Sequence, residues 1–100
     1  FTFTDCTLNY SAFYQLKIPG TAFKNCQLEG VDFVEADLSN AVFDNCELNA
    51  AVFEDSILEG ADLRTAHNFS IDPSFNRIKK AKFSRQNIIG LLGKYGIIVE

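Results

Sequence analysis

The sequence has no tryptophan, no methionine and a single histidine, whereas ten of its 100 residues are phenylalanine. An aromatic set restricted in this way indicates one structural position that repeatedly requires Phe. Long apolar runs are also lacking. The longest apolar stretch covers residues 88–99, contains three glycines and Lys94, and is too short to cross a bilayer. A composition of 47% hydrophobic and 22% charged residues excludes a disordered chain, and the length fits one domain.

A large apolar residue occupies every fifth position from residue 3 to residue 63, without exception. The residue two places earlier is small in all but two repeats, and the intervening positions are mainly polar. A period of five fits neither the 3.6-residue turn of an α-helix nor the two-residue alternation of a strand. The chain must therefore turn every five residues, and successive turns stack through backbone hydrogen bonds in a parallel β-solenoid.

Two segments carry the motif A(D/N)LXX, namely Ala36-Asp37-Leu38-Ser39-Asn40 and Ala61-Asp62-Leu63-Arg64-Thr65. With this motif the pattern over residues 1–65 resembles the pentapeptide-repeat family. The resemblance implies an all-β fold, a right-handed quadrilateral parallel β-helix in which four pentapeptides make one 20-residue coil. Coils would be separated by about 4.8 Å, the spacing of paired strands.

Arranging the sequence in rows of four repeats independently supports this coil. Phe and aliphatic centres then alternate around the coil, which predicts a dry core with identical side chains stacked in columns. The predicted columns are Phe3, Phe23 and Phe43; Phe13, Phe33 and Phe53; Leu8, Leu28 and Leu48; and Ile18, Leu38 and Leu58.

Three cysteines, Cys6, Cys26 and Cys46, are also spaced by one coil and occupy the small-residue position. We interpret them as buried packing thiols, because zinc ligands usually come in close pairs and number four. The metal-site alternative is the weaker one. Unpaired cysteines favour a reducing compartment, so we expect a cytoplasmic protein.

The repeat divides the chain into three parts. Residues 1–66 are predicted to form the β-helix of about three coils, residues 67–80 a loop excursion, and residues 81–100 the last repeat with a C-terminal cap. Because the chain begins in phase with the repeat at Phe1, we expect that upstream coils or a cap precede it.

The cap is predicted to be a short α-helix. Ser84 is a suitable N-cap, apolar residues follow with helical spacing, and Gly96 suits the C-terminal end. Capping of the open β-helix end is one role for this segment. Because cap-mediated dimers occur in the family that it resembles, a homodimer interface is the alternative. The candidate cap and dimer residues are Ile88, Leu91, Leu92, Tyr95, Ile97 and Val99.

Nothing in the sequence predicts catalysis, a metal or a cofactor. The single His67 has no nucleophile or carboxylate at a catalytic spacing. The glycines near the C-terminus do not match a phosphate loop. The basic run of Lys79, Lys80, Lys82 and Arg85 fits a solvated face as well as a phosphate contact. We therefore expect a protein that is not an enzyme and has no small-molecule substrate, direct nucleic-acid ligand or membrane partner.

Charge is distributed unevenly along the chain. Residues 1–65 contain eleven acidic and three basic side chains, net −8, whereas residues 66–100 contain six basic and two acidic ones, net +4. Solubility and a cationic partner both explain the acidic excess. The candidate acidic surface, on two adjacent sides of the predicted coil, comprises Asp32, Glu35, Asp37, Glu54, Asp55 and Glu59.

These features predict a scaffold or protein-interaction module, because a regular, rigid wall binds with little loss of entropy. The family resemblance implies an alternative. Some bacterial members mimic duplex DNA, bind DNA gyrase or topoisomerase IV and protect it from quinolones or toxins. An appendage to a separate enzyme domain is the third hypothesis.

Overall fold

A computed structural model describes residues 1–98 as a solenoid of stacked coils. Three short strands, β1 (Thr2–Thr4), β2 (Ala22–Lys24) and β3 (Val42–Asp44), form a parallel sheet in the order β1-β2-β3. Phe23 pairs with both Phe3 and Phe43, so each strand lies exactly four repeats along the chain from the strand beside it. The predicted 20-residue coil is thus present, and the sheet is parallel as expected.

Single bridges repeat the same offset on the remainder of each coil. Thr7 pairs with Gln27, Ala12 with Asp32, and Lys17 with Asp37. Each coil therefore makes a lateral connection every five residues, at four positions. Hydrogen bonds run in both directions between coils: the Gln27 amide donates to the coil before it, and the next amide, of Leu28, donates to the coil after it. The main chain is thus satisfied although the strands are only three residues long.

A left-handed backbone conformation occurs at every fifth residue from Asp5 to Gly60. Nine of these twelve turn residues are not glycine, and the four least suited to this conformation are Tyr10, Gln15, Glu35 and Ala50. A side chain in this region costs roughly 1–2 kcal/mol. The repeated turns persist because the stacked coils on either side fix the backbone.

Phenylalanine rings fill the core in two stacked columns. Centroids within a column are 5.1–5.4 Å apart with interplanar angles of 5–14°, and the two columns meet edge to face at 5.9–6.4 Å. Rings in the middle coils are fully buried, whereas Phe3, Phe13 and Leu8 in the first coil are only partly buried. The predicted face-to-face stacking is confirmed.

The small-residue positions bring polar side chains against the backbone of the preceding coil. The Cys46 thiol donates to the Phe23 carbonyl at 3.2 Å, and the Ser56 hydroxyl donates to the Phe33 carbonyl at 2.7 Å. Cys26 makes the corresponding bond to Phe3. Cys26 and Cys46 are buried and all three cysteines are unpaired, as packing thiols should be.

Burial raises the pKa of the Cys46 thiol to about 11, from an ordinary value near 9. Because the folded state resists ionisation, its stability should be complete below pH 9 and fall as the pH rises from 9 to 11. The loss approaches about 1.4 kcal/mol per pH unit. Urea unfolding at pH 8, 9.5 and 11 tests this. A Cys46→Ala variant, with the residue that other coils use there, should lose this part of the pH dependence; an unchanged slope would contradict the assignment.

A fourth coil continues beyond residue 66. Bridges join Glu47 to His67, Ile57 to Arg77 and Asp62 to Lys82. The structure thus places both ends of the predicted 67–80 excursion in register with the coil before them. Within residues 1–98 no bridge joins position 52 to position 72, so the departure from the repeat lies between His67 and Arg77.

The Asn76 side chain supplies hydrogen bonds where the bridges between coils are interrupted. Its amide nitrogen donates to the carbonyls of Phe53 and Asp72, each at 3.0 Å, and its oxygen accepts from the Ser56 amide at 3.0 Å. Phe69 and Ile71 are buried and supply the apolar surface that the repeat lacks here.

The predicted C-terminal α-helix is wrong. The segment instead forms two 3-10 helices, Ile88–Leu91 and Gly93–Tyr95. The ring and carbonyl of Phe69 lie where a Gly90 side chain would be, and the Ile71 amide donates to the Gly90 carbonyl at 2.9 Å. Contact with the fourth coil therefore shapes this segment, and its glycines weaken an α-helix by roughly 1 kcal/mol each.

Asn87 attaches this cap segment (residues 84–98) to the last coils. Its side-chain nitrogen donates to the carbonyls of Leu63 at 2.7 Å and Ala66 at 3.1 Å, and its oxygen accepts from the Ser84 amide at 2.9 Å. The Asn87 amide donates back to the Ser84 hydroxyl at 3.1 Å, so Ser84 caps one turn that does not continue. One side chain thus satisfies backbone groups that a further coil would otherwise bind.

The candidate cap residues separate into two groups. Leu91 packs against the core, whereas the others that the structure describes are exposed: Ile88, Leu92, Tyr95 and Ile97. Val99 lies outside the described residues. The homodimer through this surface stays a prediction. No helix in the described part of the chain is long and apolar enough to span a membrane.

Candidate interaction surfaces

The acidic surface is centred on a column of turn residues. Glu35 and Asp55 occupy equivalent left-handed turns of successive coils, with φ of 57° and 53°, and both are exposed. Gln15, at the same turn of the first coil, donates to the Glu35 carboxylate at 2.6 Å. The backbone of these turns therefore fixes two acidic residues one coil apart.

Glu54 precedes Asp55 in the chain, and both side chains are exposed. Within residues 1–98 neither carboxylate accepts a hydrogen bond or forms an ion pair. Glu35, Glu54 and Asp55 therefore form the part of the acidic surface with the most available charge.

The other three predicted carboxylates have intramolecular partners. Asp32 accepts from the Val34 amide at 2.9 Å, and Glu59 is 3.5 Å from the Arg77 guanidinium. Hydrogen bonds from the hydroxyl and amide of Ser39, with help from Lys17, lower the pKa of Asp37. These three carboxylates are therefore already engaged, Asp32 and Asp37 in turns and Glu59 in an ion pair.

Apolar side chains adjoin the free carboxylates. Val52 is 45% exposed and Tyr14 is 49% exposed, and both belong to the side of the coil that carries Glu54. A partner would therefore meet carboxylates next to modest apolar contacts, the mixture usual in protein interfaces.

A polar groove that the sequence does not predict lies between the cap segment and the third and fourth coils. On its wall, His67 Nε2 is 3.0 Å from Asn45 Oδ1, and Asn68 donates to the Glu47 carboxylate at 3.0 Å. The pairing of Glu47 with His67, one coil apart, is the signal that brings these residues together. Because their polar groups already bond to one another, these residues stabilise the groove wall.

His67 has no catalytic geometry in the described residues. Its ring contacts the side-chain amide of Asn45, and the cysteine thiols lie in the core or pack against it. Among residues 1–98 no group of three or more potential ligands could hold a metal ion.

The family described as "Pentapeptide repeat region" matches residues 1–90, and the chain belongs to this family. Its fold resembles HetL, a pentapeptide-repeat protein involved in heterocyst differentiation regulation from the cyanobacterium Nostoc sp. Strain PCC 7120. The TM-score is 0.69 at 15% identity, over 78% of this chain and 38% of HetL. This comparison shows the fold of a pentapeptide-repeat β-helix.

Similarity to two further structures is lower. Rfr23 from the cyanobacterium Cyanothece 51142 has a TM-score of 0.48 at 20% identity, over 84% of this chain and 60% of Rfr23. Full-length QnrB1, a plasmid-mediated fluoroquinolone resistance protein, has a TM-score of 0.31 at 20% identity, over 95% of this chain and 68% of QnrB1. Neither score supports an argument about this chain. The chain spans less than two thirds of HetL and Rfr23, and no curated protein matches it.

Proposed function

We propose that this chain is a non-enzymatic protein-interaction module whose acidic surface binds a cationic protein. The observation that carries the proposal is the pair of unneutralised like charges, Glu35 and Asp55, on rigid turns of adjacent coils. Like charges directly opposite one another across a sheet destabilise it by roughly 0.2–1 kcal/mol. A cationic partner would relieve this repulsion, and the fixed turns reduce the entropy lost on binding.

The proposal includes the finer geometry of the fold. We infer a right-handed, four-sided coil, since each coil has four bridge positions and four turns, and crossovers between parallel strands are right-handed in nearly all proteins. The three unpaired cysteines support a cytoplasmic location, where thiols stay reduced.

Neutralising the two stacked charges tests the surface. A Glu35→Gln/Asp55→Asn variant should be more stable by about 0.2–1 kcal/mol at low salt, because the repulsion is removed while the turn residues keep their shape. Its affinity for a decalysine probe should fall about 10-fold at about 50 mM salt, and both differences should shrink at about 300 mM salt. Urea unfolding and isothermal titration calorimetry measure the two effects.

The matched control removes two charges elsewhere, with Asp5→Asn and Glu29→Gln on the other sides of the coil. If both double variants weaken decalysine binding equally, net charge alone explains the binding and the proposed surface is rejected.

A second candidate is a DNA mimic that binds DNA gyrase or topoisomerase IV and protects it from quinolones or toxins. Its support is charge density. A net charge of −8 over just over three coils of about 4.8 Å gives one charge per roughly 2 Å, close to the roughly 1.7 Å of duplex DNA. A gyrase supercoiling assay with and without quinolone tests this on the wild type and the Glu35→Gln/Asp55→Asn variant. No effect of the wild type at low salt would exclude this role and leave the general module in place.

A further inference from the structure

The C-terminal end of the solenoid combines exposed apolar side chains with unpaired positive charge. Exposed apolar residues cluster in the cap segment, where Tyr95 is 63% and Ile98 is 85% exposed. We call this cluster the terminal patch: Ile88, Ile89, Leu92, Tyr95, Ile97 and Ile98. Exposed apolar residues grouped in one segment and bordered by polar residues are characteristic of interaction surfaces.

Basic residues border the same end. Lys79, Lys80, Lys82 and Arg85, the basic rim, are exposed and form no ion pair within residues 1–98. Lys82 bridges back to Asp62, and the Lys79 carbonyl accepts from the Gly60 amide, so the rim belongs to the last coil. Cap residues cover the remaining edge, where Lys94 binds Asp72 and Gly93 approaches Ser70. The patch and the rim therefore share one end of the molecule.

We propose that this end docks on an anionic lipid surface. Aliphatic side chains enter the boundary between headgroups and acyl chains, while lysine and arginine at the edge attract anionic headgroups. Tyrosine suits the same boundary because its ring is apolar and its hydroxyl is polar. Charge also sets the orientation, since the net −8 of residues 1–65 is repelled by the surface that attracts the rim.

Charge distinguishes a lipid surface from the other occupants of this end. Two copies meeting end to end would bring two basic rims together, which opposes association. Single-stranded nucleic acid is bound through stacking on aromatic rings, whereas the patch is mainly isoleucine and leucine. An anionic bilayer complements both the apolar and the cationic components. Docking in this way would leave the acidic surface exposed to a protein partner.

Vesicle co-sedimentation tests the proposal on the whole chain. Binding should be strong at about 50 mM salt on vesicles that mix phosphatidylcholine with phosphatidylglycerol in a two-to-one ratio. It should fall steeply at about 500 mM salt and on pure phosphatidylcholine. Lys79→Glu/Lys80→Glu should weaken binding by at least about 25-fold, taking about 5-fold per lysine. Ile98→Asp should weaken it about 10-fold.

The matched controls place the same chemical changes on the walls. Lys17→Glu/Lys24→Glu and Val52→Asp alter exposed residues away from the C-terminal end and should retain binding. Absence of binding by the wild type at low salt, equal binding to neutral vesicles, or equal loss in the controls would overturn the proposal. So would a dimer in light scattering that Ile98→Asp dissociates, without vesicle binding, which would assign this end to a second copy.

Discussion

Replacing Phe33 by alanine should destabilise the solenoid by about 3–5 kcal/mol, a large part of the roughly 5–15 kcal/mol that holds a typical domain together. The ring is fully buried and stacked between Phe13 at 5.4 Å and Phe53 at 5.1 Å. It also meets the edges of Phe23 and Phe43. Its removal leaves a cavity that regular backbone coils on both sides cannot close, so the full cavity term should be measured.

Two companion variants separate stacking from burial. Phe3→Ala alters the first coil, where the ring is only partly buried and stacks on Phe23 alone, so the loss should be less than half as large. Phe33→Leu keeps most of the volume and should cost about 1–2 kcal/mol. Urea unfolding followed by far-UV circular dichroism gives all three values. Equal losses for Phe33→Ala and Phe3→Ala would contradict the ranking by position in the column.

Replacing Asn87 by alanine should release the cap segment, with a loss of about 2–3 kcal/mol. The substitution removes the donor for the Leu63 and Ala66 carbonyls and the acceptor for the Ser84 amide, and leaving such groups unsatisfied costs roughly 1–3 kcal/mol. Asn87→Asp should be worse, because its carboxylate keeps the acceptor but places negative charge against two carbonyl oxygens.

Hydrogen exchange locates this effect. Protection of the Ile71 amide, which donates to Gly90 across the cap contact, should fall, while protection of Phe33 in the middle of the solenoid should change much less. Gln86→Ala, at the exposed neighbouring residue, is the control and should leave both unchanged. Uniform loss of protection along the chain would show that the cap is part of one cooperative unit.

The repeated part of the fold could be predicted from the sequence, because every repeat carries the same local features. The apolar centre, the small residue before it and the polar turn recur every five positions, so the columns, the coil length and the register followed directly. The stacking of Phe23 on Phe43 needed no information beyond their separation by one coil.

The candidate site was predicted less completely. Six carboxylates were assigned to one surface from their positions alone, but Asp32, Asp37 and Glu59 are engaged by an amide, a serine and Arg77. Such partners depend on rotamers and on residues one coil away. The groove beside His67 was missed for a related reason, since the cap segment that forms its second wall did not adopt the expected helix.

The sequence by itself determined the five-residue turn, the 20-residue coil, the phenylalanine core and the opposite charges of the two ends. These properties follow from local spacing and composition, which burial converts directly into structure. Only the tertiary structure decided how the solenoid ends. Asn76 and Asn87 replace missing backbone partners. Phe69 packs closely against Gly90, so this contact sets the local conformation and the helical spacing of the segment's own residues does not. Where the repeat stops, unsatisfied carbonyls and an open core select the conformation, and no five-residue pattern encodes that requirement.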